Sequence, residues 1–353
     1  MPIIPNLPER LLFTGLNRAP APLLDLFGAV AFRTVRAALN LGVFETLHES
    51  PQSPAELARR LRTSDGGTSA LLEALEGFGY VSSRDGRYAN SPMTEKWLVQ
   101  SAPDSVAAGF DYWGTILDRL FGGLEESIRG GEPPENLYGW VETHPDASES
   151  FQEWMVALSR LVAGEVVRKL KLPPTARRLL DVGGGHGAYS VALCREYPRL
   201  TATVFDLPGA LEAARRTIAA EGMQDRVGVR EGDFLEDELP SGNDVVLLFN
   251  IVHGFAPEQN AALLHKVAAA LEPGGVIVVA EQVAGKAPGP ASKAFSGALG
   301  LSYFHLLGGR IFSYEEISGW LGAAGFGEMR RVNLLRAPGN SLILGTKARG
   351  GKG

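Results

Sequence analysis

The run Asp181-Val-Gly-Gly-Gly-His-Gly187 follows an apolar segment and opens an amphipathic one. Glycines at that junction let the main chain approach a ligand, and the helix N-terminus beyond favours negative charge, so a small-molecule cofactor is implied. Gly183, Gly185 and Ala188 also fit the dinucleotide fingerprint, and the loop alone therefore suits a nicotinamide cofactor equally well. Asp206 ends the next apolar segment, where a carboxylate can take two ribose hydroxyls in either case. Gly232-Asp233-Phe234 separates the two: a carboxylate there can accept from an exocyclic amine, and the ring can cover an adenine face. Asp181, Asp206 and Asp233 thus fall at three successive strand ends beside one crevice. Three acids repel a diphosphate and attract a sulfonium carrying an amino acid.

The elements that must position these residues alternate between short β-rich runs and helices from about residue 175, the pattern of a parallel sheet covered on both faces. Strands are expected at RLLDVG, TATVFD, VGVREGD, DVVLLFN and VIVVAEQV. MRRVNLLRA and NSLILGTKA flank the turn sequence Pro338-Gly339-Asn340, and a pair joined without a crossover helix must be antiparallel. Residues 23 to 165 read instead as mainly helical. Within them SPAELARRL, capped by Ser53, a second helix through TSALLEALEGFGY, and a hairpin turning at Asp85-Gly86 give a winged-helix pattern. Two domains are expected: a helical one over 1–165 and a sheet domain over 166–353.

Lys+Arg 34 against Asp+Glu 40 gives a net charge of -6, without the overall positive field of a nucleic-acid or anionic-membrane binder. Cys194 is alone, which excludes a disulfide within the chain and a CxxC metal site, so no metal is expected. No apolar run approaches the ~18 residues of a membrane helix, and the proline-bearing start lacks a signal peptide's pattern. A cytoplasmic protein is expected.

In order and spacing, LLDVGGGHGAYS, TATVFDLPGAL, REGDFLEDELP, LLFNIVHGFAPEQNAALLHKVAAALEPGGVIVVAEQV and GGRIFSYEEISGWLGAAGF resemble the S-adenosylmethionine-dependent O-methyltransferases of the plant caffeate and bacterial polyketide-tailoring type, over nearly the whole chain. The resemblance implies a doubly wound, seven-stranded, mostly parallel α/β sheet of the class I methyltransferase fold, completed by the antiparallel tail. It makes the winged-helix half a dimerisation domain that helps close the acceptor pocket, and the protein a homodimer. S-adenosyl-L-methionine is the implied cofactor, with Asp181, Gly183, Gly184, Gly185, Asp206, Leu207, Asp233, Phe234 and Asn250 around it. His253 becomes the general base, oriented by Glu281; Met155, Tyr303, Phe304 and Leu306 become acceptor-pocket residues. The acceptor implied is a hydroxylated aromatic or polyketide-like small molecule. A phenol of pKa ~10 meeting an already electrophilic methyl group needs a base and in-line placement.

The chain departs from the plant pattern at three places. Gly254-Phe255 follows the histidine in place of Asp-Trp, Ile311 replaces a second acid, and Phe249 replaces a lysine, leaving Asn250 as the neighbouring polar group. Nitrogen or carbon acceptors are alternatives on the same fold. A winged-helix regulator is a different class of reading, but its recognition-helix candidate carries Glu73 and Glu76 and no Lys or Arg, which opposes phosphate binding. A nicotinamide-dependent oxidoreductase is another, resting on the glycine loop alone. His186 reads as loop filler, and His265, on an apolar helix, as core.

Overall fold

A computed structural model of the chain describes residues 6–16, 18, 20–285 and 289–349. They form two compact units, meeting in sequence at Asp118 and Arg119.

The first unit is helical: α1 (Pro22–Asn40), α2 (Val43–Glu49), α3 (Pro54–Leu61), α4 (Asp65–Gly77), the hairpin β1 (Val81–Arg84) and β2 (Arg87–Asn90), α5 (Pro92–Trp97) and α6 (Ala107–Arg119). Ser53 caps α3 as expected, with Glu56 returning the bond to the cap's own N–H. Asp85 and Gly86 both take left-handed backbone conformations, the requirement of a two-residue hairpin turn. Val35, Phe44, Leu57, Leu72 and Leu75 form the core. Glu73 and Glu76 are exposed on α4, and the Glu76 carboxylate accepts from Ser83 of the hairpin at 2.9 Å, so this acid braces the wing. No single helix among the described residues is long and apolar enough to cross a membrane.

The second unit begins at Arg119, so the helices α7 (Leu124–Gly130), α8 (Leu137–Thr143) and α9 (Pro145–Lys169), which the texture of the sequence groups with the helical half, belong to the compact unit that holds the sheet. Its strands β3 (Arg178–Val182), β4 (Thr201–Asp206), β5 (Val227–Glu231), β6 (Asn243–Phe249), β7 (Leu271–Gln282), β8 (Phe326–Asn333) and β9 (Asn340–Lys347) lie in the order β5-β4-β3-β6-β7-β9-β8. Pairing is parallel from β5 through β7, and β9 is antiparallel to both β7 and β8. The chain runs outward from β3 to β5 and returns to β6 at the other side of β3, which opens a crevice at the carboxyl ends of these two strands.

Alternation along each strand sorts the core into two layers. Leu179, Val245, Leu247 and Val278 join one with α9, α10 (Ala188–Glu196) and α11 (Pro208–Ala220); Leu180, Val246, Leu248 and Ile277 join the other with α12 (Pro257–Ala270) and α14 (Tyr314–Ala323). His265 is exposed on α12, contrary to the expectation of a core position, because Leu263, Leu264 and Val267 take the buried stripe. Glu165 of α9, only 4% exposed, accepts from the N–H groups of Leu335 and Arg336, both at 2.8 Å, and from Lys169 at 2.7 Å. It ties the longest helix to the β8–β9 connection.

Candidate active site

Strand β3 delivers Asp181 to the crevice, where its carboxylate, 1% exposed, accepts from the Ser190 hydroxyl at 2.7 Å. Burial pushes this carboxyl up to about 7, against the Ser190 hydrogen bond and with the Asp206 charge adding. The glycines that follow have unequal reasons to be glycine. A Cβ on Gly184 would lie 2.6 Å from the Asp181 carboxyl carbon, and one on Gly183 would strike the Ile251 side chain. The protein's own packing thus forbids side chains at both. Gly185 is different: the nearest atoms to its Cβ position are Gln152 Oε1 at 3.8 Å and Asp206 Oδ2 at 3.9 Å, so this face of the loop is open, and its φ of +47° is what favours glycine.

The Asp206 carboxylate accepts from the Gly185 N–H and from the Leu207 N–H, each at 2.8 Å. Burial nonetheless holds its pKa above the ordinary aspartate value, and the charge of Asp233 contributes. Each Asp206 oxygen retains a further lone pair for a ligand hydroxyl. His186 accepts the Ala188 N–H at Nδ1, 3.1 Å away, and burial lowers its pKa to about 4. It is a neutral ring capping the start of α10.

Beyond β5, one Asp233 oxygen accepts the Leu235 N–H at 2.8 Å, and the Asp233 N–H donates to Asp237 at 2.8 Å. Phe234 is half-buried and meets Phe255 edge-on, with ring centroids 5.6 Å apart. Lys266 of α12 donates to the carbonyls of Phe234 at 3.2 Å, Leu235 at 2.5 Å and Asp237 at 3.0 Å. One ammonium therefore pins the whole turn.

At the other lip, the turn after β6 carries His253, 6% exposed, whose Nδ1 lies 2.8 Å from Glu281 Oε2 on β7. A carboxylate only accepts, so Nδ1 carries the hydrogen and Nε2 keeps its lone pair for a proton. The His253 main chain is held as well: its carbonyl accepts the Arg310 N–H at 2.9 Å, while Asn260 donates to the flanking carbonyls of Val252 and Phe255 at 2.9 and 3.1 Å. The Tyr303 ring, from α13 (Pro290–Leu307), stacks on the imidazole at a centroid distance of 3.8 Å. Tyr138 of α8 comes within 3.9 Å of the Gly254 Cβ position; burial raises its phenol pKa strongly, with the charges of Asp206 and Glu281 adding, so the hydroxyl stays protonated.

A doubly wound sheet of seven strands, parallel but for β9, is the architecture of the class I methyltransferases. A family model for the O-methyltransferase domain matches residues 126–327, and one for the O-methyltransferase dimerisation domain matches residues 24–100. The chain is 33% identical over 340 residues to the 3-hydroxy-5-methyl-1-naphthoate 3-O-methyltransferase of Streptomyces sahachiroi, covering 93% of this chain and 96% of that protein. It is 33% identical over 260 residues to the 3-amino-4-hydroxybenzoate 4-O-methyltransferase of Streptomyces cremeus, covering 71% of this chain and 70% of that one. Among solved structures, PigF with SAH superposes with a TM-score of 0.82 at 26% identity, covering 93% of this chain and 99% of that one. The chain belongs to the O-methyltransferase family and is an S-adenosylmethionine-dependent enzyme of that class.

The structure brings Asp181, Gly185, Asp206 and Leu207 together at the loop, Asp233 and Phe234 at the neighbouring turn, and His253, Glu281 and Tyr303 at the far lip. Asn250 is exposed, in a left-handed conformation, with its N–H on the Ala280 carbonyl at 2.9 Å. Leu306 turns inward at 4% exposure, and Met155 and Phe304 lie half-buried on α9 and α13. Phe249, at the position of the plant lysine, packs edge-on against Tyr189 at 4.9 Å and so belongs to the core. Sequence reasoning missed Gln152, Tyr138 and Lys266. Gln152 and Tyr138 come from helices far from the motifs, and Lys266 sits on a helix whose register alone marks it as an ordinary solvated cation.

Proposed function

We propose that the enzyme methylates a hydroxyl of a small polycyclic or substituted aromatic acid, with His253 as the base and Glu281 as its orienting partner. The observation that carries this reading is the buried 2.8 Å His253–Glu281 contact at the same sheet edge as Asp206 and Asp233. Both naphthoate and hydroxybenzoate O-methyltransferases among the relatives act on hydroxylated aromatic acids, which supports the acceptor class.

The residues fit the cofactor. Gly185 presents an open face beside a desolvated Asp206 carboxylate with lone pairs to spare, and Asp233 and Phe234 stand on a turn already fixed by Lys266. In this reading Asp206 holds the ribose hydroxyls, Asp233 accepts from the exocyclic amine, and Phe234 covers the adenine. When bound, S-adenosylmethionine would supply an electrophilic methyl carbon carried on a positively charged sulfur, which is the leaving group and keeps the bonding pair. His253 Nε2 receives the hydroxyl proton, and the Glu281 carboxylate steadies the imidazolium so formed. Tyr138, kept protonated, offers a hydroxyl donor beside Gly254.

The working form in this reading is a cytoplasmic homodimer. Leu23, Leu26, Phe27 and Val30 recur at helical spacing on α1, each at least 44% exposed, an apolar stripe that a second copy would cover. Incubating the full chain with methyl-labelled cofactor and a panel of hydroxynaphthoates and hydroxybenzoates, alongside sedimentation, is the direct test. Label in an aryl methyl ether and a dimer mass are expected. Label on ring carbon or nitrogen would replace the acceptor assignment, and a stable active monomer would remove the dimer.

A further inference from the structure

We propose that Tyr303 is a positioning residue of the transfer reaction: its ring fixes the plane of the His253 imidazole and stabilises the positive charge the imidazole acquires. This rests on the reading of His253 as the base. Glu281 contacts the ring at one atom only, Nδ1, and a single hydrogen bond leaves the ring free to swing about that contact. The position where the plant enzymes carry a second acid holds Ile311, an aliphatic chain that packs near Gly300. A second constraint must come from elsewhere. Tyr303 supplies it, lying over the imidazole face at 3.8 Å between centroids and 12° between planes.

The tyrosine is held in that place by His253 itself. Gly308 ends α13 with a φ of +72°, and any Cβ on Gly309 would collide with the His253 carbonyl oxygen. The same oxygen accepts the Arg310 N–H at 2.9 Å. The last turn of α13 is therefore latched to the main chain of the residue whose ring it covers. Glu281 from β7 and Tyr303 from α13 contact the imidazole, and Tyr138 from α8 lies beside the neighbouring Gly254; the Arg310 guanidinium is engaged by Glu316 at 2.6 Å and by the Phe312 ring. No cation competes for the ring face among these. An aromatic face is a good neighbour for a cation, and the benefit grows as the imidazole becomes charged, so it lowers the barrier more than it stabilises the resting enzyme.

Single-turnover rates at saturating cofactor decide the matter, measured on two hydroxynaphthoates: one un-ionised at its hydroxyl at the assay pH, the other made acidic by a ring nitro group and already ionised. With the un-ionised acceptor, Tyr303→Leu is expected to be slower by about 10-fold, and Tyr303→Phe, which keeps the ring, to recover to within about two-fold of wild type. With the ionised acceptor no proton is transferred to His253, and at saturating acceptor the slowing by Tyr303→Leu should be clearly smaller than with the un-ionised one. Equal slowing on both acceptors, or a Phe variant as poor as Leu, overturns the proposal in favour of plain pocket shape. His253→Ala run in parallel keeps the two ideas apart. If it is unimpaired on the un-ionised acceptor, the base reading fails; if it is slow there while Tyr303→Leu is not, only the positioning role fails.

Discussion

The two lips of the crevice use carboxylates in opposite ways. At β3 and β4, Asp181 and Asp206 hold the protein's own loop, through the Ser190 hydroxyl and the N–H groups of Gly185 and Leu207, and burial raises both pKa values. At β7, Glu281 holds the ring of a histidine whose main chain is held in turn by the Arg310 N–H and, through the neighbouring Val252 carbonyl, by the Asn260 side chain. The first lip is preorganised for a ligand that brings hydroxyls and positive charge to carboxylates disfavoured as bare anions. The second already contains both members of its pair, and waits only for a proton. Affinity should therefore reside at the first lip and rate at the second.

The sharpest way to break that division is His253→Ala, which should lower turnover by ~10²- to 10⁴-fold, the range of general-base contributions, with S-adenosylhomocysteine affinity nearly unchanged in calorimetry. Glu281→Gln should cost less, since it keeps the shape but removes the charge that favours the imidazolium. Wild-type turnover by His253→Ala under chemistry-limited conditions would mean that proximity and orientation carry the reaction alone.

A smaller effect is expected at the first lip, with the opposite signature. Asp206→Ala should weaken S-adenosylhomocysteine binding by about 1–3 kcal/mol, the scale of leaving buried polar groups unpaired, and single-turnover rates at saturating cofactor should fall much less. A variant with native affinity and lost rate would erase the contrast between the lips.

The smallest effect sharpens the comparison through pH. The Asp181 carboxyl titrates at about 7 in the folded chain against an ordinary value of 3.8, so the folded state binds the extra proton between those limits. The contribution of this group to the stability of the cofactor-free chain should accordingly fall as pH rises from about 4 to about 7 and level off above that. Asp181→Asn, which can still accept from Ser190, should flatten this fall and raise the melting temperature at pH 8 by several degrees. An unchanged pH profile in that variant would show that Asp181 is not the titrating group.

The first lip was largely legible in the sequence because every part of it is local: Asp181, Gly185, Asp206 and Asp233 each lie at or just past the end of an apolar run that the reader can count. The same holds for the parallel strands, whose continuous apolar runs betray burial on both faces. The resemblance supplied His253 and Glu281. What stayed hidden depends on packing between distant segments. Tyr303 reads as one aromatic on an apolar helix, and only the folded chain shows its ring stacked on the His253 imidazole, beside the latch at Gly309 and Arg310. His265 misled because three neighbouring residues make its helix look apolar on all sides, while the buried stripe passes beside it. The grouping of residues 119–165 was obscured similarly: helical periodicity says that a face is buried, not which partner buries it.

The bond between the His253 carbonyl and Arg310 also bears on how new acceptor preferences could arise in this chain. The helix that contributes Tyr303 and Phe304 and the residue proposed to take the proton are geared through one oxygen atom, so an insertion that reshapes one drags the other. Change by side-chain replacement at the helix's outward positions leaves that gear engaged, whereas change in the length of the Gly308–Arg310 turn disengages it. Lineages and engineers alike should then find tolerance in the first kind of variation and abrupt loss in the second.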